Sequence, residues 1–184
     1  MNFIELVKLR QSVRRYDPRP VEKEKIMQCI EAARLAPSAS NSQPWHFVIV
    51  NDPDLRQQVA EATFDSLVTF NRFMLHAPVI IVLVTEKQGP FDRIASRLQK
   101  RDLSMVDNGI AAEHLCLQAA ELGLGTCIIG RLDQRTIKKI LHIPAGKYIS
   151  LLISMGYLPE DNHPREKIRK PVDTITSWNL YEKP

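Results

Sequence analysis

Two stretches of the sequence repeat, at every second position, side chains of the types that bind phosphate. They are Arg10, Ser12 and Arg14 near the N-terminus, and Arg165, Lys167 and Arg169 near the C-terminus. In an extended chain, side chains two residues apart project to the same side. Guanidinium groups and a hydroxyl on one side could grip a phosphate, because Arg presents forked hydrogen-bond donors. The alternative is that both stretches are solvated runs of charge, and a helical backbone would separate Ser12 from the two arginines.

The sequence SASNSQPWHF at residues 38–47 crowds hydrogen-bonding side chains in front of an apolar stretch. Hydroxyl and amide groups fill most of residues 38–43, Pro44 and Trp45 follow, and residues 47–50 are apolar. A polar group that is buried without a partner costs roughly 1–3 kcal/mol. The crowding therefore predicts either a bound ligand with many polar atoms or a solvated loop between a helix and a strand.

The segment GLGTCIIG at residues 123–130 has the glycines of a nucleotide-binding motif but not its spacing. The third glycine of GxGxxG would fall at Ile128, and no Lys-Ser or Lys-Thr pair follows Gly130. Both nucleotide motifs also need the order strand, glycines, helix, whereas the order predicted here is helix, glycines, strand. We expect Gly123 or Gly125 to end the helix and Gly130 to let a ligand approach backbone amides.

Nucleophilic and metal chemistry have little support. Cys127 could act as a thiol nucleophile with one of the five histidines as its base, but no local signature accompanies it. A small buried hydrophobic residue is the interpretation that we favour. The histidines lack HxxxH or HExxH spacing, so no metal site is predicted. We expect Asp107, in a long buried helix, to cap or pair within the core, and we assign no side chain as a catalytic residue.

Composition predicts one ordinary globular domain. The chain has 184 residues, 44% hydrophobic and 25% charged, with a net charge of +4 that permits an anionic ligand without requiring nucleic acid. Three cysteines without a CxxC pair favour a reduced cytoplasmic protein over a disulfide framework or metal cluster. The longest apolar run, 77–84, is far below the roughly 20 residues of a membrane span. We expect neither a targeting segment nor a membrane span.

Hydrophobic periodicity predicts an α+β fold with one sheet and flanking helices. Helices are predicted at 2–9, 21–35, 53–75 with or without a break, 103–122 and 133–141, the last capped by Asp133. Strands are predicted at 47–50, 78–85, 127–130 and 148–155, of which 78–85 is apolar on both faces and suits a central position. No element is predicted at 88–100. Residues 159–184 are polar and basic and are predicted to form an arm. Such an arm needs a surface to pack against, which a partner subunit would provide.

Four segments together resemble the nitroreductase family of flavin enzymes. They are RQSVRRYDPRPV at 10–21, APSASNSQPWHFVIV at 36–50, AAELGLGTCIIG at 119–130 and KIRKP at 167–171. Their order and spacing fit over nearly the whole chain. The resemblance implies a single domain over 1–184 with a central, mostly antiparallel sheet. It also implies a homodimer with FMN at the subunit interface and an arm, about 159–184, that wraps the partner.

The resemblance also implies the residues that bind FMN. The phosphate and ribityl chain would be held by Arg10, Gln11, Ser12, Arg14, Lys167 and Arg169. Arg14 would also lie near the N1–O2 edge, where a cation raises the flavin's potential. Residues of the other subunit would meet the ring and ribityl chain, namely Pro37, Ser38, Ala39 and Asn41. Backbone amides of Ile128, Ile129 and Gly130 would face N5 and O4, and Asn71 the pyrimidine edge.

The activity implied is a ping-pong reaction. NADH or NADPH would give hydride to flavin N5, and an electron-poor acceptor such as a nitroaromatic or quinone would then take it. The alternative is a same-fold flavoprotein with a specialised reaction, such as dehalogenation, oxidative ring formation or flavin fragmentation. A basic protein that grips nucleic acid is a third alternative, but its basic stretches lack interleaved aromatics. Many relatives have Trp where this chain has Ile128 and Ser where it has Ala39, so the acceptor and the preferred nicotinamide stay open.

Overall fold

A four-stranded antiparallel sheet forms the centre of the described part of the chain. The computed structural model describes residues 1–86 and 102–182, so the stretch 88–100, for which no element was predicted, lies outside it. The strands are β1 (Trp45–Val50), β2 (Val79–Thr85), β3 (Leu124–Ile129) and β4 (Tyr148–Tyr157), in the order β1-β2-β4-β3. Every pairing is antiparallel. The predicted α+β class is confirmed.

Helices cover both faces of the sheet. They are α1 (Phe3–Leu9), α2 (Lys23–Arg34), α3 (Pro53–Glu61), α4 (Ser104–Glu121) and α5 (Gln134–Ile140). Short 3₁₀ turns lie at Ala39–Asn41, Arg72–His76 and Val172–Ile175. Helices α2 and α4 pack on one face, and α3 and α5 pack on the other. Within 1–86 and 102–182, no helix is both long and apolar enough to cross a bilayer.

Strand β2 is buried on both faces, as its sequence predicts. Val79, Ile81 and Leu83 face the α2–α4 side. The alternate residues Ile80 and Val82 face the α3–α5 side, next to Ile137 of α5. This alternation follows from the two-residue repeat of a strand. Because its side chains alternate in this way, β2 joins the two halves of the core. Each of its fully buried Ile or Leu side chains contributes about 1.5–3 kcal/mol to the stability of the fold.

The helix predicted over 53–75, with or without a break, is broken after Glu61. The Asp65 carboxylate accepts hydrogen bonds from the backbone amides of Leu67 and Val68, both at 2.8 Å. A side chain that bonds to nearby backbone amides competes with the helix. The chain therefore turns through residues 62–71 and becomes helical again only in the short turn Arg72–His76.

The two candidate helix-ending glycines have different roles. Gly123, with φ of 75°, ends α4, whereas Gly125 lies inside β3, which begins three residues earlier than predicted. A Cβ on Gly125 would come within 2.7 Å of Val13 Cγ2 and 2.9 Å of Leu158 Cδ2. Gly125 therefore lets the N-terminal segment pack directly against β3. Asp133 caps α5 as predicted, accepting from the Thr136 amide at 3.1 Å.

Candidate functional site

The N-terminal basic stretch is extended, which is the geometry that the phosphate-grip interpretation needs. Ser12 forms a parallel bridge with Thr126 of β3, and the Val13 amide donates to the Thr126 carbonyl at 2.8 Å. Val13 is buried in the core, so its neighbours Ser12 and Arg14 project to the opposite side. Tyr16 fixes the end of the stretch, because its hydroxyl donates to the Val13 carbonyl at 2.8 Å and lies 2.7 Å from Ser154 Oγ.

The groups that affect the pKa of the buried Cys127 thiol, on β3, are those of the two basic stretches. Burial raises the pKa of this thiol, opposed in turn by the charge of Arg14, a hydrogen bond with Ser12, and the charges of Arg165 and Arg10. The two arginines of the N-terminal stretch and one from the tail therefore act on the same atom. A raised pKa also keeps Cys127 in its protonated form at neutral pH, so the structure supports a small buried hydrophobic residue rather than a nucleophile.

The tail returns to the N-terminal stretch of the same chain. The backbone amide and Nε of Arg165 donate to Gln11 Oε1 at 3.2 and 3.1 Å, and its Nη2 donates to the Ser12 carbonyl. Lys167 Nζ donates to the Val7 carbonyl at 2.6 Å. We call the set of side chains from 10–14 and 165–169 the basic cluster. Arg165 was absent from the predicted cofactor set, although the alternating pattern of 165–169 had singled it out.

Like charges crowd inside the basic cluster. Burial of Lys167 and the charges of Arg10 and Arg169 lower the pKa of its ammonium group, while Glu113 of α4 opposes them. Glu113 Oε1 lies 3.2 Å from Arg10 Nε. This carboxylate was not predicted, because nothing in the sequence links residue 113 to residue 10. The cluster contains five cations and the carboxylate of Glu166, and Glu113 adds a second carboxylate, so positive charge is in excess and suits an anionic ligand.

The polar loop at residues 38–43 has an unusual backbone. Ser40, Asn41 and Gln43 adopt left-handed φ values of 53°, 54° and 46°, which cost non-glycine residues about 1–3 kcal/mol each. Local side-chain bonds support this shape. Ser38 Oγ accepts from the Gln43 amide at 3.0 Å, and Asn41 Oδ1 accepts from Gln43 Nε2 at 3.1 Å. Ser40 and Asn41 are exposed, so the loop presents polar groups outward.

One long-range hydrogen bond connects this loop to α4. The Ala39 amide donates to Asp107 Oδ1 at 3.2 Å, and Asp107 is buried with 4% of its surface exposed. Asp107 was expected to cap or pair within the core, but its partner is an amide of the loop. In the part of the chain that the structure describes, its other oxygen, Oδ2, is buried without a hydrogen-bond partner, as is the Ser42 hydroxyl in the loop.

The basic cluster and the loop lie at opposite edges of the sheet. The loop leads into β1, and the cluster packs on β3, the other edge strand. Three inter-strand spacings separate these edges, roughly 14 Å. No hydrogen bond or ion pair joins the two groups within residues 1–86 and 102–182. One copy of the chain therefore brings together the predicted phosphate-binding residues but not the predicted ring-binding residues 37–41.

The end of β3 presents accessible backbone beside a buried amide side chain. Ile128 is 41% exposed while Ile129 is buried, and a Cβ on Gly130 would meet nothing within 4 Å. Asn71 is buried and donates from Nδ2 to the Thr63 carbonyl at 3.0 Å and the Arg131 carbonyl at 3.5 Å. Asn71 thus lies next to the residue that follows Gly130, and its contact with a pyrimidine ring stays a prediction.

Comparison with known proteins decides what the chain is related to. The sequence model of the nitroreductase family matches residues 7–157. The chain belongs to the nitroreductase family. This nitroreductase-family chain is accordingly an oxidoreductase.

Three relatives illustrate the range of the similarity. An oxygen-insensitive NADPH nitroreductase of Helicobacter acinonychis is 28% identical over 187 residues, covering 84% of this chain and 85% of the relative. An iodotyrosine deiodinase of Thermotoga neapolitana is 27% identical over 181 residues, covering 88% and 90%. The solved structure of an FMN-dependent nitroreductase from Clostridium difficile is 28% identical, with a TM-score of 0.79 over 97% of this chain and 100% of that one.

The residues of this nitroreductase-family chain fit FMN better than a metal. Within the described ranges, no group of three or more His, Cys, Asp or Glu side chains could hold a metal ion. The basic cluster instead supplies forked donors around an excess of positive charge, which suits a phosphate dianion. The exposed polar groups of residues 38–43 and the open backbone at Gly130 suit the polar edge of a planar ring.

Proposed function

We propose that the protein is a homodimeric, FMN-dependent NAD(P)H oxidoreductase that reduces an electron-poor acceptor such as a nitroaromatic or a quinone. The observation that carries the proposal is the basic cluster. In a nitroreductase-family chain, cations from residues 10–14 and from residues 165–169 meet at β3, joined by contacts such as Arg165 Nε to Gln11 Oε1. The FMN-dependent relative supports the choice of cofactor.

The basic cluster would hold the phosphate of FMN. Arg10, Arg165 and Lys167 present several N–H donors, and Ser12 adds a hydroxyl. A dianion at this position would offset the burial, and the repulsion from Arg10 and Arg169, that lower the pKa of Lys167. Gln11, whose carbonyl oxygen anchors Arg165, would orient the tail rather than neutralise charge.

Arg14 and the end of β3 would address the ring. The Arg14 guanidinium lies 5.9 Å from the centre of the Phe73 ring and is exposed, so it can turn toward a ligand. A cation at the N1–O2 edge favours negative charge on the reduced ring, and amides at Ile129 and Gly130 would donate to N5 and O4. Bound FMN would supply hydride transfer from NAD(P)H to the acceptor in two half-reactions, with no protein nucleophile.

A homodimer would complete each site. Helix α1 has no buried residue, and large apolar side chains are exposed on three helices and on the tail. They are Phe3, Ile4, Met27, Leu35, Met105, Val106, Ile168, Val172, Ile175, Trp178, Leu180 and Tyr181. Exposed apolar surface of this extent is typical of an interface between subunits. A second copy would cover it with its own tail and would bring residues 37–41 to the ring.

Reductive dehalogenation is a second candidate function. The 27% identical iodotyrosine deiodinase covers 88% of this chain, about as well as the nitroreductase relative does. The same basic cluster and the same loop would bind FMN in either case. The difference would lie in the acceptor that each enzyme takes.

A spectrum and an acceptor panel test the proposal. Protein as purified, or after addition of FMN and gel filtration, should show flavin absorption at one FMN per chain in a particle of two chains. NADH or NADPH should bleach that band, and a nitroaromatic or quinone should restore it without oxygen. Restoration by iodotyrosine but not by nitroaromatics would favour the dehalogenase, and protein that stays colourless with added FMN would overturn both.

A further inference from the structure

The hydrogen bond between Asp107 and the loop is the long-range support of a strained backbone. Three residues of the loop are left-handed, and the other bonds that hold them lie between residues of the loop itself. Asp107 lies on α4, whose interior residues Ala111, Leu115 and Ala119 are fully buried. The contact at 3.2 Å from Asp107 Oδ1 to the Ala39 amide therefore ties the loop to an 18-residue helix whose interior side is buried in the core.

The same contact has unused hydrogen-bonding capacity. Asp107 Oδ2 and Ser42 Oγ are both buried, and neither has a hydrogen-bond partner among residues 1–86 and 102–182. Burying a carboxylate with only one hydrogen bond costs free energy, so such a group in a folded protein calls for an explanation. The neighbouring side chains Met105 and Val106 are 45% and 57% exposed, so this end of α4 is also a surface that a second copy would cover.

We infer that Asp107 is a positioning residue, which holds residues 38–41 in the conformation that contacts the FMN of the neighbouring copy. The inference rests on the proposed function. Asp107 itself touches neither ring nor phosphate. It fixes the direction of the Ala39 amide, and through it the left-handed turn at Ser40 and Asn41.

Substitutions at both ends of this bond test the inference. Asp107→Leu keeps the approximate volume and removes both acceptors, so the Kd for FMN should rise about tenfold to hundredfold. Asp107→Asn keeps an oxygen that can accept from the Ala39 amide, and its Kd should stay within about threefold of the parent protein. Glu121→Gln, at the exposed end of α4, is the matched control and should bind FMN as the parent does.

A double-mutant cycle distinguishes positioning from general destabilisation. Ala39→Pro removes the donor N–H, and Ser38 already has the extended ψ of 153° that a following proline requires. If both substitutions act through one bond, Asp107→Leu should add little to the loss of FMN affinity in Ala39→Pro. Asp107→Leu should also change the visible circular dichroism of the bound flavin, whereas Asp107→Asn should give the same signal as the parent protein.

The outcomes are separable. If Asp107→Leu lowers only the melting temperature and leaves the Kd and the flavin spectrum unchanged, the inference is overturned while the proposed function stands. If Asp107→Leu does not fold, Ala39→Pro alone decides, and parental affinity in that variant overturns the inference. A parent protein that binds no FMN defeats the proposed function instead.

Discussion

The basic cluster and the loop at residues 38–43 are built in contrasting ways. The cluster is assembled within one chain by contacts between its N-terminal and C-terminal halves, such as Arg165 Nε to Gln11 Oε1. The loop is held by its own side chains and by one bond to Asp107, and it faces outward. In the proposed homodimer, this difference would let each copy bind the phosphate of its own FMN and contribute its loop to the ring bound by the other copy.

Charge reversal in the basic cluster should have the largest effect. Arg14→Glu with Arg169→Glu places one carboxylate beside the N1–O2 edge of the ring and another beside the phosphate, so the flavin content should fall at least about a hundredfold. The flavin absorbance of the purified protein measures this. Arg135→Glu with Lys139→Glu, on the exposed face of α5, changes the net charge equally and should leave the flavin content unchanged. Full flavin content in the first variant would disprove the cluster's role.

Mixing two defective copies should recover half of the sites. Arg14→Glu with Arg169→Glu damages the cluster, and Ala39→Trp obstructs the loop's contact with the ring. In a mixed dimer, one site would combine an intact cluster with an intact loop, so one FMN per dimer should bind while each variant alone binds none. Recovery is measured by co-expression with two affinity tags and flavin quantitation. Absence of recovery in properly formed mixed dimers would mean that cluster and loop serve the same copy.

Much of the fold is predictable because local patterns in the sequence determine its helices and strands. Strand β2 is identified by an apolar run that fills both faces, and α5 by the cap at Asp133. The position of the break in the helix predicted over 53–75 was not predicted, because it depends on the Asp65 side chain, which bonds to the Leu67 and Val68 amides. Whether Asp65 captures them depends on its rotamer and on its ion pair with Arg131, which the local sequence does not reveal.

The candidate site was predictable where it repeats a pattern and not where it depends on distant contacts. Alternation of residues 10–14 and 165–169 identified the two halves of the basic cluster. Glu113 and Asp107 were not recognised as partners of Arg10 and Ala39, because each pair joins segments that are far apart in the chain. Only the packing of α4 between α1, α2 and the sheet brings them into contact.

A methyl group at Gly125 should weaken the cluster without touching its charges. The added Cβ would lie 2.7 Å from Val13 Cγ2, so Gly125→Ala must push residues 10–14 away from β3. We expect the free energy of unfolding to fall by about 1–3 kcal/mol and the Kd for FMN to rise about tenfold. Gly146→Ala, where a Cβ meets nothing within 4 Å, is the control. Parental values for Gly125→Ala in denaturation and FMN titration would contradict the packing argument.

Thiol labelling should show the smallest effect. Burial raises the pKa of all three cysteines, to about 12 for Cys29 and Cys116, but Arg14, Arg165 and Arg10 partly offset it at Cys127. Iodoacetamide should therefore label Cys127 first, and faster as pH rises, because the thiolate reacts. Bound FMN should slow the labelling of Cys127 a few-fold, because the FMN phosphate neutralises the charges of these arginines. Mass spectrometry of the digested protein measures the labelling rate of each cysteine. If FMN slowed the labelling of Cys29 equally, the cause would be a general rigidification of the protein and not a local change of charge.

The most direct test of the basic cluster compares FMN with riboflavin, which has the same ring and ribityl chain but no phosphate. Fluorescence titration of the apoprotein should give an FMN Kd at least about a hundredfold below that of riboflavin, and added salt should narrow the gap. Lys167→Glu with Arg169→Glu, neither of which is assigned to the ring, should remove the difference. Equal affinity for FMN and riboflavin in the parent protein would contradict the account.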